Sequence, residues 1–171
     1  NVGVVAFDKT GTLTAGKPTL TALEPNGIDR SLLLVLAAAV QAGSEHPLAR
    51  AVTAAAQGLL VPRATDVKAV PGRGVEAVVA GRRLALGSSR WMDELGVKVE
   101  ALGQKASALE RQGYTVSWLA DVTERPALQG LMAFGDQPRA EAVDAVARLA
   151  ARKIRTVMLT GDNLAAAHAV A

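Results

Sequence analysis

The sequence predicts an α/β protein in two parts: a doubly wound core assembled from both ends of the chain, and an inserted α+β unit built on an antiparallel sheet. Three observations carry this. Val4-Val5-Ala6-Phe7 is a short continuous apolar run, the pattern of a strand covered on both faces, and it breaks at Asp8 into a turn containing Gly11. Near the other end, Ala142, Val143, Val146, Leu149 and Ala150 recur at helical spacing ahead of an apolar run from Ile154 to Leu159, and a helix followed by a buried strand is the α/β pattern. Between them, after Pro62, the apolar period falls to two.

Taken in order, the first strand and its turn occupy Asn1 to Thr14, and Ala15-Gly16-Lys17-Pro18 reads as an exit linker. Asp29 is placed to cap a helix reaching Gln41, and Ser44 to cap another reaching Gln57; both segments are rich in helix formers. Val67–Val70, Val75–Val79 and Arg83–Leu86 alternate and are separated by glycine turns, as antiparallel strands are. A helix is expected over 99–112, then strands over 115–120 and 128–134 joined through Asp121 to Pro126. The expected division is residues 1–17 and 126–171 for the core and 18–125 for the insert. An Asp8 at the carboxyl end of a central strand lies where open α/β sheets bind ligands.

Composition narrows the function. The longest apolar run, Leu32 to Val40, is far short of the ~20 residues a membrane span needs, and no charged-then-apolar leader is expected. A formal charge of +3, with arginines interleaved among apolar residues, and two Phe, two Trp and one Tyr leave little for base stacking on a nucleic acid. With no cysteine and two histidines, His46 and His168, neither a thiolate nor a His-cluster metal site can be built.

The chemistry-bearing stretch is Asp8-Lys9-Thr10-Gly11-Thr12-Leu13-Thr14. A carboxylate held in line with a terminal phosphoryl group, beside a divalent cation, forms an aspartyl phosphate, and Lys9 with the threonine hydroxyls adds charge and donors around the transferring oxygens. Four further segments stand out. Thr160-Gly161-Asp162 follows an apolar run; Ser44-Glu45-His46-Pro47 opens a helix, which explains the Ser, Glu and Pro but not His46. Gly72-Arg73-Gly74 offers close backbone approach to a ligand, or simply a hairpin or bulge. Asp136-Gln137-Pro138-Arg139 reads either as a functional segment or as an N-cap with Pro138 in the first turn.

The string Asp8 to Thr14 resembles the phosphorylation motif of P-type ATPases, which belong to the haloacid dehalogenase-like superfamily, and Thr160-Gly161-Asp162 resembles that family's Thr-Gly-Asp motif. Ser44 to Pro47 is similar to the Ser-Glu-His-Pro segment of the heavy-metal-transporting branch. The resemblance covers essentially the whole chain. It implies a haloacid dehalogenase-like doubly wound core, incomplete here, with an inserted nucleotide-binding domain whose sheet is flanked by helices. It implies ATP and Mg²⁺ as cofactors: Glu45 and His46 at the adenine, Gly72, Gly74 and Ser88 along the nucleotide, and Asp136 and Arg139 at the return hinge. Ser88 stands where the branch often has Asn. Asp8, Lys9, Thr10, Thr160, Gly161 and Asp162 would form the catalytic group, with Mg²⁺ on Asp8 and the Thr10 carbonyl.

The activity implied is that of the cytoplasmic ATP-binding and phosphorylation portion of a heavy-metal-exporting pump, with Cu⁺ favoured over Zn²⁺ or Cd²⁺. The membrane helices and actuator domain of the same pump would be its partners, and the transported ion would bind elsewhere. The family's later Gly-Asp-Gly segment has no counterpart here, so a partial metal site and poor self-phosphorylation are expected of this chain. Two alternatives stay open, a soluble phosphatase of the same superfamily and a non-catalytic nucleotide-binding module. Thr10 occupies the position where those phosphatases usually carry their general-acid aspartate.

Overall fold

The computed structural model describes residues 3–159, which form two sheets and five helices. The smaller sheet pairs β1 (Val4–Asp8) with β8 (Arg155–Leu159) in parallel, with Asp8 opposite Leu159. The larger is a six-stranded antiparallel sheet in the order β2 (Thr14–Pro25), β7 (Ala127–Pro138), β6 (Thr115–Asp121), β5 (Arg82–Gly87), β4 (Gly74–Val79), β3 (Ala64–Val70). The expected doubly wound core with an inserted antiparallel unit is this arrangement.

Alternation along the central strands supplies both faces of the large sheet with apolar side chains. Leu84, Leu86, Leu119, Met132 and Phe134 meet α1 (Arg30–Gln41) and α2 (Pro47–Ala55) on one face. Ala85, Trp118, Ala120 and Leu131 meet α3 (Ser89–Glu94) and α4 (Glu100–Arg111) on the other. Leu33, Val40, Leu84, Leu119 and Leu131 are fully covered, each such side chain contributing about 1.5–3 kcal/mol by leaving water. Buried Trp118 satisfies its indole by donating to Ser89 Oγ at 2.8 Å.

The small sheet is different. Its strands were expected to be covered on both faces, yet β1 is nowhere buried, Val4 is 54% exposed and Leu159 56%. α5 (Ala140–Ala151), which packs on β8, has no buried residue, and Val143 on it is 60% exposed. Among the described residues the small sheet is therefore left largely open.

Three local expectations are corrected. Ala15 to Pro18 is no linker; it lies within β2, which bulges against β7 between Thr14 and Pro18. β7 pairs along its length with β6 and β2, so the large sheet runs on to Pro138. Asp29 sits at the N-cap of α1 without a side-chain bond, and the cap of α2 is His46 rather than Ser44: His46 Nδ1 accepts from Leu48 N at 3.2 Å, and Ser44 Oγ accepts from His46 N at 3.3 Å. The six-residue α3 was not expected; it is too short to show a helical period.

Gly74 faces Gly87 across β4 and β5 because nothing larger fits: a Cβ on Gly74 would lie 2.1 Å from Leu86 O, and its φ of +156° strains any other residue. Gly74→Ala is expected to cost about 3 kcal/mol, read as a lower denaturant midpoint with unchanged slope. Across β5, β6 and β7, Asp121 accepts from Arg82 Nε at 2.8 Å and from Thr123 N and Oγ1 at 2.9 and 2.5 Å. Partial burial pushes its pKa up, but the Thr123 and Arg82 bonds outweigh this and hold it below the usual carboxylate value. A depressed folded pKa gives stability that is present above the unfolded value and lost as pH falls through the folded one. Asp121→Asn should therefore destabilise by about 1 kcal/mol at pH 7, the pair being partly exposed. That deficit should shrink below about pH 4 in paired denaturation curves.

Candidate functional site

The nucleophile motif begins where β1 ends. Asp8 is exposed at the carboxyl end of that strand, and the chain then winds through a single π-type turn, Lys9–Leu13, closed by Thr14 N donating to Lys9 O. Gly11 holds a φ of +79° in the turn, a left-handed conformation suited to glycine. Lys9 is buried. β8 ends at Leu159, the partner of Asp8; Thr160, Gly161 and Asp162 lie outside the described residues, as does the side chain of Thr10.

Asp136 and Arg139 are tied to this turn. In the bulge of β2, three residues, Ala15, Gly16 and Lys17, face the single residue 137 of β7, which frees backbone amides from the ladder. Asp136 collects them: its carboxylate accepts from Gly16 N at 3.1 Å, Lys17 N at 3.2 Å and the fully buried Thr14 Oγ1 at 2.5 Å. Arg139 donates from Nε to Thr14 O at 3.0 Å and from Nη2 to Gly11 O at 3.2 Å, while its amide donates to Leu13 O at 2.8 Å. Asp136 thus lies in β7 and is not a helix cap; α5 begins after Arg139.

A cavity of about 460 Å³ opens on the large sheet between the α1–α2 loop and the β3–β4 turn. It brings together His46, Gly72, Gly74 and Ser88, which lie far apart in sequence. Glu45 is not on its wall; it pairs with Arg50 and faces a larger depression of about 1020 Å³ toward α2 and β3. None of His46, Gly72, Gly74 or Ser88 reaches that depression, so the smaller cavity is the candidate site. Asp136 and Arg139 do not line it either.

Within the cavity several polar groups are already engaged. Gly74 is spent on close packing against Leu86 and Gly87, and Ser88 caps α3 by accepting from Trp91 N at 3.3 Å. Gly72 takes a φ of +68° with open space where a Cβ would sit, so its demand is the turn itself. His46 uses Nδ1 as the helix-cap acceptor, which in the neutral ring leaves Nε2–H as a donor for a ligand. One residue escaped the reading of motifs. Gln41, the last residue of α1, lines the cavity and is 7% exposed, and its Oε1 is buried without a hydrogen-bond partner. A buried amide oxygen left unpaired costs about 1–3 kcal/mol, which a ligand donor would relieve; a glutamine ending an alanine-rich helix gives no such signal in sequence. Among the described residues no three His, Asp or Glu side chains cluster as a metal site, and no helix is long and apolar enough to cross a membrane.

The family model of haloacid dehalogenase-like hydrolases matches residues 2–171. A zinc/cadmium/lead-transporting P-type ATPase of Shigella sonnei is 42% identical over 98% of the chain, and a copper-exporting P-type ATPase of Staphylococcus haemolyticus is 37% identical over 99%. The chain spans about a fifth of each, 22% and 21%. A crystal structure of a zinc-transporting PIB-type ATPase in its E2.Pi state superposes with a TM-score of 0.88 at 41% identity, over 99% of this chain and 27% of that one. The chain thus belongs to the haloacid dehalogenase-like hydrolase family, and it is similar over essentially its whole length to one segment of heavy-metal P-type ATPases.

Proposed function

We propose that this chain is the ATP-binding and phosphorylation segment of a heavy-metal P-type ATPase. The observation that carries the reading is the cavity that joins His46, Gly72, Gly74 and Ser88 around the unpartnered Oε1 of Gln41, on a sheet separate from the one bearing Asp8. The base lies in this cavity, with His46 Nε2–H as donor and Gln41 Oε1 as acceptor for an exocyclic amine. Closure at the strand crossing between Thr14 and Arg139 brings the γ-phosphate to Asp8. One carboxylate oxygen of Asp8 attacks the γ-phosphorus, the bond to the β–γ bridging oxygen breaks, and ADP leaves with that oxygen's charge.

The two units of this proposal are a core drawn from both ends of the chain and an insert between them. In this reading the joint between them is the crossing of β2 and β7, at residues 14–18 and 136–139. Mg²⁺ suits the donor set at the turn, one exposed carboxylate on Asp8 beside backbone carbonyls, because this ion keeps waters and binds through one or two carboxylates plus substrate phosphates. Asp8 and the Thr10 carbonyl would hold it, and it supplies neutralisation of the approaching anions. Thr160 and Asp162 complete the catalytic group in this reading.

The partners are the membrane helices and actuator domain of the same pump, and the segment works on the cytoplasmic side. Relatives of comparable identity are named for zinc, cadmium and lead and for copper, so the preference for Cu⁺ rests on the form of Ser44-Glu45-His46-Pro47 alone.

Titration of this chain with ATP should be saturable with or without Mg²⁺. His46→Ala and Gln41→Leu should each weaken binding about tenfold, the loss of one ligand hydrogen bond in a partly buried site. Absence of binding would remove the nucleotide reading and leave only membership of the family. In the full-length pump, Asp8→Asn should abolish the acid-stable, hydroxylamine-labile phosphoenzyme while leaving ATP affinity within about twofold, because Asp8 lies outside the cavity.

A further inference from the structure

We propose that Arg73 is the anion-reading residue of this cavity, contacting the phosphate chain of the bound nucleotide through its two Nη groups while Glu94 holds it by Nε. The inference rests on the nucleotide reading above and adds a residue whose side chain the Gly-x-Gly pattern leaves unspecified.

Charge singles Arg73 out. Of the described side chains on the cavity wall, that of Arg73 alone carries a permanent charge; the others are apolar, imidazole, amide or hydroxyl groups, or glycine. A polyanion entering the cavity therefore meets one permanent cation.

The backbone fixes where that cation stands. Arg73 N donates to Val70 O at 3.0 Å and Ser88 N donates to Arg73 O at 3.0 Å, so both polar groups of its peptide unit are engaged. The tight Gly74–Gly87 pair beside it allows no slack, since a Cβ on Gly87 would lie 2.2 Å from Arg73 O. The side chain is fixed as well. Its Nε donates to Glu94 Oε2 at 2.7 Å, and the same carboxylate accepts from Arg90 Nε at 3.2 Å through its other oxygen. Two guanidinium groups on one carboxylate leave a net positive charge at the rim.

Among the described residues no protein acceptor is bonded to the Nη groups of Arg73, and the side chain keeps 29% of its surface exposed. A guanidinium held by Nε presents its remaining N–H donors as a planar fork, the geometry that fits phosphate oxygens. Lysine in its place would keep the charge but neither the fork nor the Nε bond.

Binding of ATP, ADP and adenosine to the wild-type chain, Arg73→Gln and Arg73→Lys tests this. Arg73→Gln should weaken ATP about tenfold and leave adenosine unchanged; Arg73→Lys should recover part of the ATP loss, and the difference should shrink as salt rises. Unchanged adenosine affinity also reports an intact cavity. Equal losses for ATP and adenosine would mean that Arg73 only shapes the turn, and an unchanged ATP affinity would mean that its bond to Glu94 is a surface ion pair; either overturns the proposal while the nucleotide reading stands. Failure of the wild-type chain to bind ATP or adenosine overturns both.

Discussion

The carboxylate of Asp136 is the group on which the arrangement of the two sheets depends. β2 and β7 are each twelve residues long and run side by side from the large sheet toward the catalytic turn. Where they meet the turn, the ladder breaks into a bulge and leaves amides without strand partners. The Gly16 and Lys17 amides are exposed, but the Thr14 hydroxyl is fully buried and costly to leave unpaired, and the one carboxylate accepts from all three. Arg139, three residues on, takes two carbonyl oxygens of the same turn. The turn that follows Asp8 and the last residues of the large sheet therefore share one hydrogen-bonded knot.

The knot joins parts of unequal solidity. The large sheet is covered on both faces by helices and keeps two continuous apolar clusters, whereas the small sheet exposes Val4 and Leu159 and carries a helix with nothing buried. Opening free energies follow buried apolar contacts, so the large sheet is the rigid member within residues 3–159. A ligand cavity on a rigid platform loses little to ordering on binding. Asp8 sits on the less enclosed member and is exposed. In the proposed reaction, an exposed carboxylate on one member and a cavity on the firmer one would keep the two reacting groups separately held until they meet.

The sequence made the elements legible wherever a period was long enough to be read. α1, α4 and α5 and strands β4 to β8 stand within a few residues of where spacing put them, because a helical or alternating spacing of apolar residues is legible whether or not the face is covered, as the unburied α5 shows. β2 was hidden by its own content: Gly16 and Pro18 read as loop residues, and only pairing with β7, more than a hundred residues away, makes them a bulged strand. The contacts of Asp136 were hidden for the same reason, since its partners Thr14, Gly16 and Lys17 are distant in sequence. At the cavity, His46, Gly72, Gly74 and Ser88 lie together, while Glu45 turns to Arg50. Gln41 was invisible because an unpaired oxygen is a property of packing.

The residues that form the cavity are not the ones that gain most from a ligand. Gly74 and Gly87 are fixed by backbone contact, and Ser88 already serves as a cap, so a ligand bond at any of them exchanges one interaction for another. Net gain from a hydrogen bond is small when a protein or water partner is surrendered, and larger when a buried group had none. By that measure, under the proposed nucleotide reading, the gain on binding would fall on Gln41 Oε1, His46 Nε2 and the fork of Arg73. Glycines that shape the cavity answer to the fold, and the side chains that project into it answer to the ligand. Variation among related chains at Gln41 and Arg73 would therefore change what the cavity holds, whereas variation at Gly74 or Gly87 would change whether there is a cavity at all.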